Sequence, residues 1–266
     1  MRSQPLVVFG ITGRMGQALI RALREGSPFH LRGAIASPAS SRLGQDAAAE
    51  GQATGVAITS DAAAALPPGS MALDFSLGSA VAEHARLCSE AGVPLLVGTT
   101  GFDAATRATL ERAAGKIAVL LAPNTSIGVA VLSKFVEQAT VALGAAYDIE
   151  ILEAHHSSKR DAPSGTALSL GEAAAGARGM ALEDVAVYDR HAAGIPRRPG
   201  SIGFSAVRAG DIVGEHTVMF AAEGERLELT HRVTDRLTFA RGALRAAAWL
   251  SLQPKGLYRM RDVVGL

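Results

Sequence analysis

The stretch Leu6-Val7-Val8-Phe9-Gly10-Ile11-Thr12-Gly13-Arg14-Met15-Gly16-Gln17-Ala18-Leu19-Ile20-Arg21-Ala22-Leu23-Arg24 changes character twice. Leu6 to Phe9 read as a buried strand, the glycines at 10, 13 and 16 as a turn, and Gln17 to Arg24 as a helix. That order gives the glycines a meaning they lack alone. Between a strand and a helix, residues without side chains let the backbone approach a pyrophosphate, and the helix N-terminus faces it. The stretch is therefore read as the first turn of a dinucleotide-binding βαβ unit, against the alternative of a purely structural turn. Arg14, placed in the turn itself, is within reach of a phosphate.

Working outward, Leu31 to Ala36 form a second strand. An acidic residue about twenty positions beyond the glycines holds the adenosine ribose in NAD-binding turns of this kind. Here Ala36 and Ser37 stand in that place, with Ser40, Ser41 and Arg42 close behind. No carboxylate repels a 2′-phosphate, which favours NADPH over NADH. Further strands follow at Met71 to Phe75, Pro94 to Val97 and Ile117 to Leu121. Helices lie between them, one capped by Ser76 and ending near Ala91-Gly92, another preceded by Asp103 and running to Ala114. This alternation predicts a parallel, doubly wound sheet. Ligands of such sheets lie outside the carboxyl ends of the strands, so Gly98-Thr99-Thr100-Gly101 and Ala122-Pro123-Asn124-Thr125 border the same crevice as the first turn.

After a helix from about Ile127 to Leu143 the pattern changes. A strand at Tyr147 to Glu153 runs into Glu153-Ala154-His155-His156-Ser157-Ser158-Lys159-Arg160-Asp161-Ala162-Pro163-Ser164-Gly165-Thr166-Ala167. Histidine exchanges a proton near neutral pH, and lysine offers a cation to a carboxylate or a proton to a substrate. A Ser-Gly-Thr run opening a helix presents N–H groups and hydroxyls at the positive end of its dipole. Together they describe a pocket for a small acid that must be protonated; the bland alternative is a solvated polar loop. Beyond it, Ser201 to Arg208, Ile212 to Phe220 and Arg226 to Val233 read as a predominantly antiparallel sheet in a second domain. In the last run Leu227, Leu229, His231 and Val233 share one face. A sheet with one covered face suits an oligomer, and His216 and His231 read as packing residues. The closing helix, about Thr238 to Leu250, packs back on the first domain.

Composition narrows the classes. The 266 residues are 48% hydrophobic and 19% charged with net charge +1, so neither nucleic acid nor a membrane surface is favoured electrostatically. Cys88 is the only cysteine, and no metal-binding spacing is present, which points to no metal and a reducing cytoplasm. No apolar run has the length expected of a signal peptide or membrane span.

With these motifs placed, the chain resembles the 4-hydroxy-tetrahydrodipicolinate reductase family, also called dihydrodipicolinate reductase, of bacterial diaminopimelate and lysine biosynthesis. The residues carrying the likeness are Gly10 to Gly16, Gly98 to Phe102, Ala122 to Asn124, Glu153 to Lys159, Asp161 to Ala167 and Arg208 to His216. The His-His-x-x-Lys-x-Asp-Ala-Pro-Ser-Gly-Thr run is the most specific.

The resemblance implies an α/β chain: an N-terminal Rossmann-type doubly wound parallel sheet, plus a central α+β domain with a largely antiparallel or mixed sheet that builds a homotetramer. Residues 1–126 with 237–266 would bind the dinucleotide, and 127–236 the substrate. It implies that Gly10, Ile11, Thr12, Gly13, Arg14, Met15, Gly98, Thr99, Thr100, Ala122, Pro123, Asn124 and Thr125 hold NADPH or NADH. His155 and Lys159 would carry the proton chemistry, with His156, Lys159, Gly165 and Thr166 binding a small dicarboxylate. In the family's scheme water leaves the 4-hydroxy precursor, hydride reaches C4 of the conjugated imine, and tetrahydrodipicolinate forms. Two departures stand out: Ala36-Ser37 replace the acidic-basic pair usual after the second strand, and Thr125 replaces an aromatic residue. Rival readings are another two-domain reductase, such as a homoserine or amino-acid dehydrogenase, and a non-catalytic NADPH sensor.

Overall fold

The computed structural model describes residues 3–190 and 196–265, which form two compact units. Met1, Arg2 and Leu266, within the expected first-domain boundaries, lie outside the described residues. One unit runs to Ser126 and resumes over Leu237–Gly265; the other is Ile127–Arg236.

In the first unit the strands are β1 (Gln4–Phe9), β2 (Phe29–Ile35), β3 (Ile58–Thr59), β4 (Met71–Asp74), β5 (Leu95–Val97), β6 (Ala118–Leu121) and β12 (Gly256–Arg259). They pair in the order β12-β6-β5-β4-β1-β2-β3, every pair parallel. Strands covered on both faces need apolar residues at every position, which is why Leu6, Val7, Val8 and Phe9 are all fully buried. Burial contributes roughly 2 kcal/mol for each such large side chain. Val7, Phe9, Leu95, Val97 and Val119 pack with Val81, Ala85 and Cys88 of α2 (Val81–Ala91) and Leu110 of α3 (Ala104–Ala114). Helix α1 (Arg14–Arg24) contacts β2 and α7 (Leu237–Leu250), and α7 lies against β4, β5 and β6. The short helix α8 (Met260–Val264) closes the unit.

Two local expectations need correction here. Arg14 is the first residue of α1 rather than part of the turn, because Gly13 already takes the extended N-cap conformation. Ser76 does not cap α2. Its hydroxyl donates to Asp74 at 2.6 Å, and a 3₁₀ turn at Gly78–Ala80 leads into the helix instead. Asp103 does cap α3, accepting from the Thr106 N–H at 2.8 Å, and Gly92 ends α2 at φ +67°.

The second unit holds β7 (Asp148–His155), β8 (Ala186–Val187), β9 (Ile202–Arg208), β10 (Gly214–Ala222) and β11 (Glu225–Val233), in the order β11-β10-β7-β9-β8. Its sheet is mixed rather than predominantly antiparallel. β10 runs antiparallel to β7 and β11, whereas β9 is parallel to β7 and β8. The reason is the crossover after β7: α5 (Gly165–Ala177) and α6 (Leu182–Val185) carry the chain back before β8 and β9 begin. Helices α4 (Ile127–Leu143) and α5 pack together, and their residues Leu132, Val136, Ala167 and Leu170 join Ile149, Ile151, Val218 and Phe220 in one core. The helical stretch Ile127–Ala146 is long and apolar enough to cross a membrane by length and composition, against the expectation that no run approached that length. Its buried residues Leu132 and Val136 cover this core instead.

Candidate active site

On β7, Ile149 and Ile151 are buried beneath α5, and the two-residue period of a strand continues their face to Glu153 and His155. Register brings His216 of β10 opposite Glu153, and Arg208 of β9 opposite His155. The apolar face therefore ends in a polar cluster at the carboxyl end of β7.

Glu153 anchors that cluster. Its side chain is wholly buried, and both carboxylate oxygens are engaged. Oε2 accepts from His155 Nδ1 at 2.6 Å and Arg208 Nη1 at 2.8 Å; Oε1 accepts from Arg208 Nη2 at 2.6 Å and the Ser164 N–H at 3.1 Å. Burial alone would raise the Glu153 pKa, but the bonds from Arg208 and His155 outweigh it and hold the carboxyl below its ordinary value. An ionised acceptor leaves the proton on His155 Nδ1 and fixes the ring, with Nε2 as the other functional nitrogen. Gly214 keeps space beside that nitrogen, since a Cβ there would lie 3.1 Å from it.

Lys159 belongs to the loop that follows. Its ammonium donates to both Asp161 carboxylate oxygens at 2.8 Å, and Arg208 Nη2 donates to the Asp161 carbonyl at 2.6 Å. One guanidinium thus braces the strand that bears His155 and the loop that bears Lys159. His156 turns away from Glu153 and shares a 2.8 Å hydrogen bond with Ser158.

Ser164 is the N-cap of α5, its hydroxyl accepting from the Ala167 N–H at 3.2 Å, which places Gly165 and Thr166 in the first turn. The same hydroxyl is 3.0 Å from His216 Nε2. Burial, reinforced by the nearby His155, pushes the His216 pKa down to about 4, so that ring is neutral at neutral pH. It meets the His155 ring edge-on at 5.1 Å. His216 is therefore part of this cluster as well as of the sheet.

In the first unit, Gly10 has φ +78° and a Cβ on it would lie 2.3 Å from the Phe75 carbonyl oxygen; one on Gly16 would lie 2.4 Å from that of Ile11. Both glycines are required sterically. The first turn of α1 has no side-chain cap and no acidic residue, the arrangement that receives a pyrophosphate. Ile11 is buried, while Thr12, Gly13 and Arg14 are exposed and Met15 half-buried. Thr100 and Pro123 are exposed at strand ends, Ala122 is buried, and Asn124 accepts from the Ser126 N–H at 2.8 Å. Thr99 and Thr125 are buried with their hydroxyls engaged, Thr99 on Asp74 and Thr125 on the Phe239 carbonyl at 2.7 Å. After β2, Ser37 is exposed, and Arg42 Nη2 donates to the Asp46 and Ala48 carbonyls. The glycine turn leaves the backbone open to a pyrophosphate, whereas the Thr99 and Thr125 hydroxyls are already engaged within the unit.

Residues 4–125 match the family described as dihydrodipicolinate reductase, N-terminus, and residues 128–264 match dihydrodipicolinate reductase, C-terminus. The chain belongs to the dihydrodipicolinate reductase family. The resemblance expected from the motifs is thereby met along the whole chain. It is 50% identical over 262 residues to a 4-hydroxy-tetrahydrodipicolinate reductase of Thiobacillus denitrificans, covering 98% of each protein. It is 48% identical over 263 residues to the protein of the same name from Anaeromyxobacter dehalogenans strain 2CP-C, covering 98% of this chain and 97% of the relative. A dipicolinate-bound dihydrodipicolinate reductase from Paenisporosarcina sp. TG-14 shares the fold with a TM-score of 0.73 at 23% identity, over 96% of this chain and 97% of that one. An amine dehydrogenase from Mycobacterium smegmatis, at 15% identity and a TM-score of 0.58 over 97% of this chain and 95% of its own, shares the fold alone. The reductase family thus supplies the Rossmann-type unit and the second, mixed sheet that the strand order displays.

Glu153 and Arg208 had no role assigned from sequence, Ser164 entered only through the Ser-Gly-Thr run, and His216 only as a packing residue. Glu153 carried a usable signal, since it stands two residues before His155 on a strand. Arg208 and His216 carried none, because their place depends on which strands pair.

Proposed function

We propose that His155 and Lys159 carry the proton chemistry in this member of the reductase family, and that the two units divide cofactor from substrate. The chain is an NAD(P)H-dependent 4-hydroxy-tetrahydrodipicolinate reductase, an oxidoreductase of lysine and diaminopimelate biosynthesis. The observation that carries the residue assignment is the Glu153 network, which orients His155 and braces the Lys159 loop through a single arginine.

Gly10 to Met15 would receive the pyrophosphate, and the Gly98 to Thr100 and Ala122 to Thr125 loops the nicotinamide half. When bound, the nicotinamide supplies the hydride. The first turn of α5, with Gly165 and Thr166, binds one end of a dicarboxylate, assisted by His156 and Lys159. Lys159 delivers the proton that completes reduction, and His155, ring fixed by Glu153, stabilises the charge that develops. Asp161 holds the Lys159 ammonium where a substrate carboxylate would compete for it. NADPH is favoured over NADH, because Ala36 and Ser37 rather than an acidic residue stand directly after β2, with Ser37 exposed.

A homotetramer is supported by the outer face of the second sheet, where Leu152 and Val207 are exposed and Thr217–Thr230 and Glu215–Arg232 pairs line the surface. A cytoplasmic location suits a biosynthetic enzyme with one buried, unpaired cysteine.

The test is the initial rate of NADPH and NADH oxidation with the condensation product of pyruvate and aspartate semialdehyde, generated in place. Oxidation with both, faster with NADPH, is expected. Lys159→Ala should lower turnover about a hundredfold while cofactor affinity stays within about twofold. Undiminished turnover in that variant removes Lys159 from its role, and tight cofactor binding without any oxidation favours the sensor reading.

A further inference from the structure

Strand β4 lies between β1, which leads into the glycine turn, and β5, which leads into the Gly98 to Thr100 loop. One buried carboxylate at its end reaches both sides. Asp74 Oδ1 accepts from the Ser76 N–H at 2.9 Å, the Ser76 hydroxyl at 2.6 Å and the Thr99 hydroxyl at 2.8 Å. Oδ2 accepts from His84 Nδ1 at 2.8 Å, and the His84 ring is stacked on Phe9 at 4.0 Å. The Asp74 carbonyl also takes the N–H groups of Gly98 and Thr99, at 2.9 and 3.1 Å. Four donors on two oxygens call for an ionised carboxylate. Burial would raise its pKa, yet the His84 and Ser76 bonds hold it below the ordinary value.

Phe75, the next residue, fills the space two glycines leave. A Cβ on Gly10 would strike its carbonyl oxygen at 2.3 Å, and one on Gly98 would strike its ring at 2.0 Å. Both loops therefore press on a tripeptide, 74–76, whose conformation the Asp74 side chain sets. Thr99 is only 7% exposed, with its N–H and hydroxyl both engaged by Asp74, so these groups are not offered to a ligand.

We propose that Asp74, backed by His84 and acting through Thr99 and Ser76, is a positioning residue for the nicotinamide cofactor. It sets the spacing between the glycine turn and the Thr99-Thr100 loop, and with it the affinity for the dinucleotide. The inference rests on the reading of those loops as the cofactor site.

Fluorescence titration of the full-length protein with NADPH and NADH, followed by steady-state kinetics, tests it. Thr99→Val removes one donor to the carboxylate and should weaken binding of the preferred nucleotide about tenfold; Thr99→Ser should restore it to within about twofold. Asp74→Ala should weaken it further, about a hundredfold. In a folded Asp74→Ala variant, turnover at saturating cofactor and KM for the dicarboxylate should change less than about threefold. Circular dichroism identifies a variant that fails to fold, and if Asp74→Ala does, the Thr99 pair decides. A parent protein that binds neither nucleotide overturns the cofactor reading and the inference with it. A parent that binds, together with Thr99→Val binding equally well or Thr99→Ser binding no better than Thr99→Val, overturns the inference alone.

Discussion

Replacing Arg208 by Met tests the reasoning about the buried network most directly. The substitution keeps a long apolar stem and removes the guanidinium, taking from Glu153 two of its four hydrogen bonds, those at 2.6 and 2.8 Å. The carboxylate has no solvent exposure to compensate. Breaking a buried pair by removing one partner costs about 3–5 kcal/mol. Arg208 is itself 18% exposed, so water reaches part of the gap and about 3 kcal/mol is expected at pH 8.

The pH dependence gives a second, independent check. In the parent the folded pKa of Glu153 is depressed, so its stabilisation is present above the unfolded value of about 4.3 and is lost as pH falls through the folded pKa. Without Arg208, burial dominates and the folded pKa rises. Proton uptake then relieves the variant, and the loss should be smaller at pH 5 than at pH 8 by about 1 kcal/mol or more. Urea unfolding at the two pH values, for Arg208→Met and for Arg208→Met with Glu153→Gln, measures both quantities. The double variant should recover at least about 1 kcal/mol, because no buried charge is left unpaired. A single-variant loss below about 0.5 kcal/mol, or one equal at both pH values, would refute the reasoning.

Two further perturbations follow from local geometry. Gly10→Ala puts a non-glycine residue at φ +78° and a Cβ 2.3 Å from a backbone oxygen that cannot swing aside; a loss of about 3 kcal/mol or more, with cofactor binding abolished, should appear in urea unfolding and NADPH titration, and a folded variant that binds normally contradicts the turn's role. Ser164→Ala removes the α5 cap and the hydroxyl beside His216, so about 1–2 kcal/mol should be lost. Unchanged urea midpoints would show that neither bond matters.

Much of this was legible in the residues because the cues are local. Leu6 to Gly16 declares a strand, a sterically required glycine turn and a helix, since burial on both faces demands an unbroken apolar run and the turn demands residues without Cβ. Asp103 and Ser164 announce helix starts for the same kind of reason: a side-chain oxygen beside otherwise unbonded N–H groups. The local cues failed where a different contact turned the side chain elsewhere. Ser76 has the chemistry of a cap, but its hydroxyl is turned to the Asp74 carboxylate, and the Gly78–Ala80 turn separates it from the helix.

What only the tertiary structure decided is the company these residues keep. Arg208 lies 55 residues from Glu153, and His216 lies 52 from Ser164. Their meeting depends on β9 running parallel and β10 antiparallel to β7, in one register, and a strand's own alternation specifies neither direction nor register. Likewise, Thr99 looks like a ligand-facing hydroxyl until β4 is set beside β5 and Asp74 claims it. Residue types determined which chemistry this chain can offer. The pairing of strands decided which histidine is held by a buried carboxylate, which is kept neutral among its neighbours, and which threonine gives its hydroxyl to the fold.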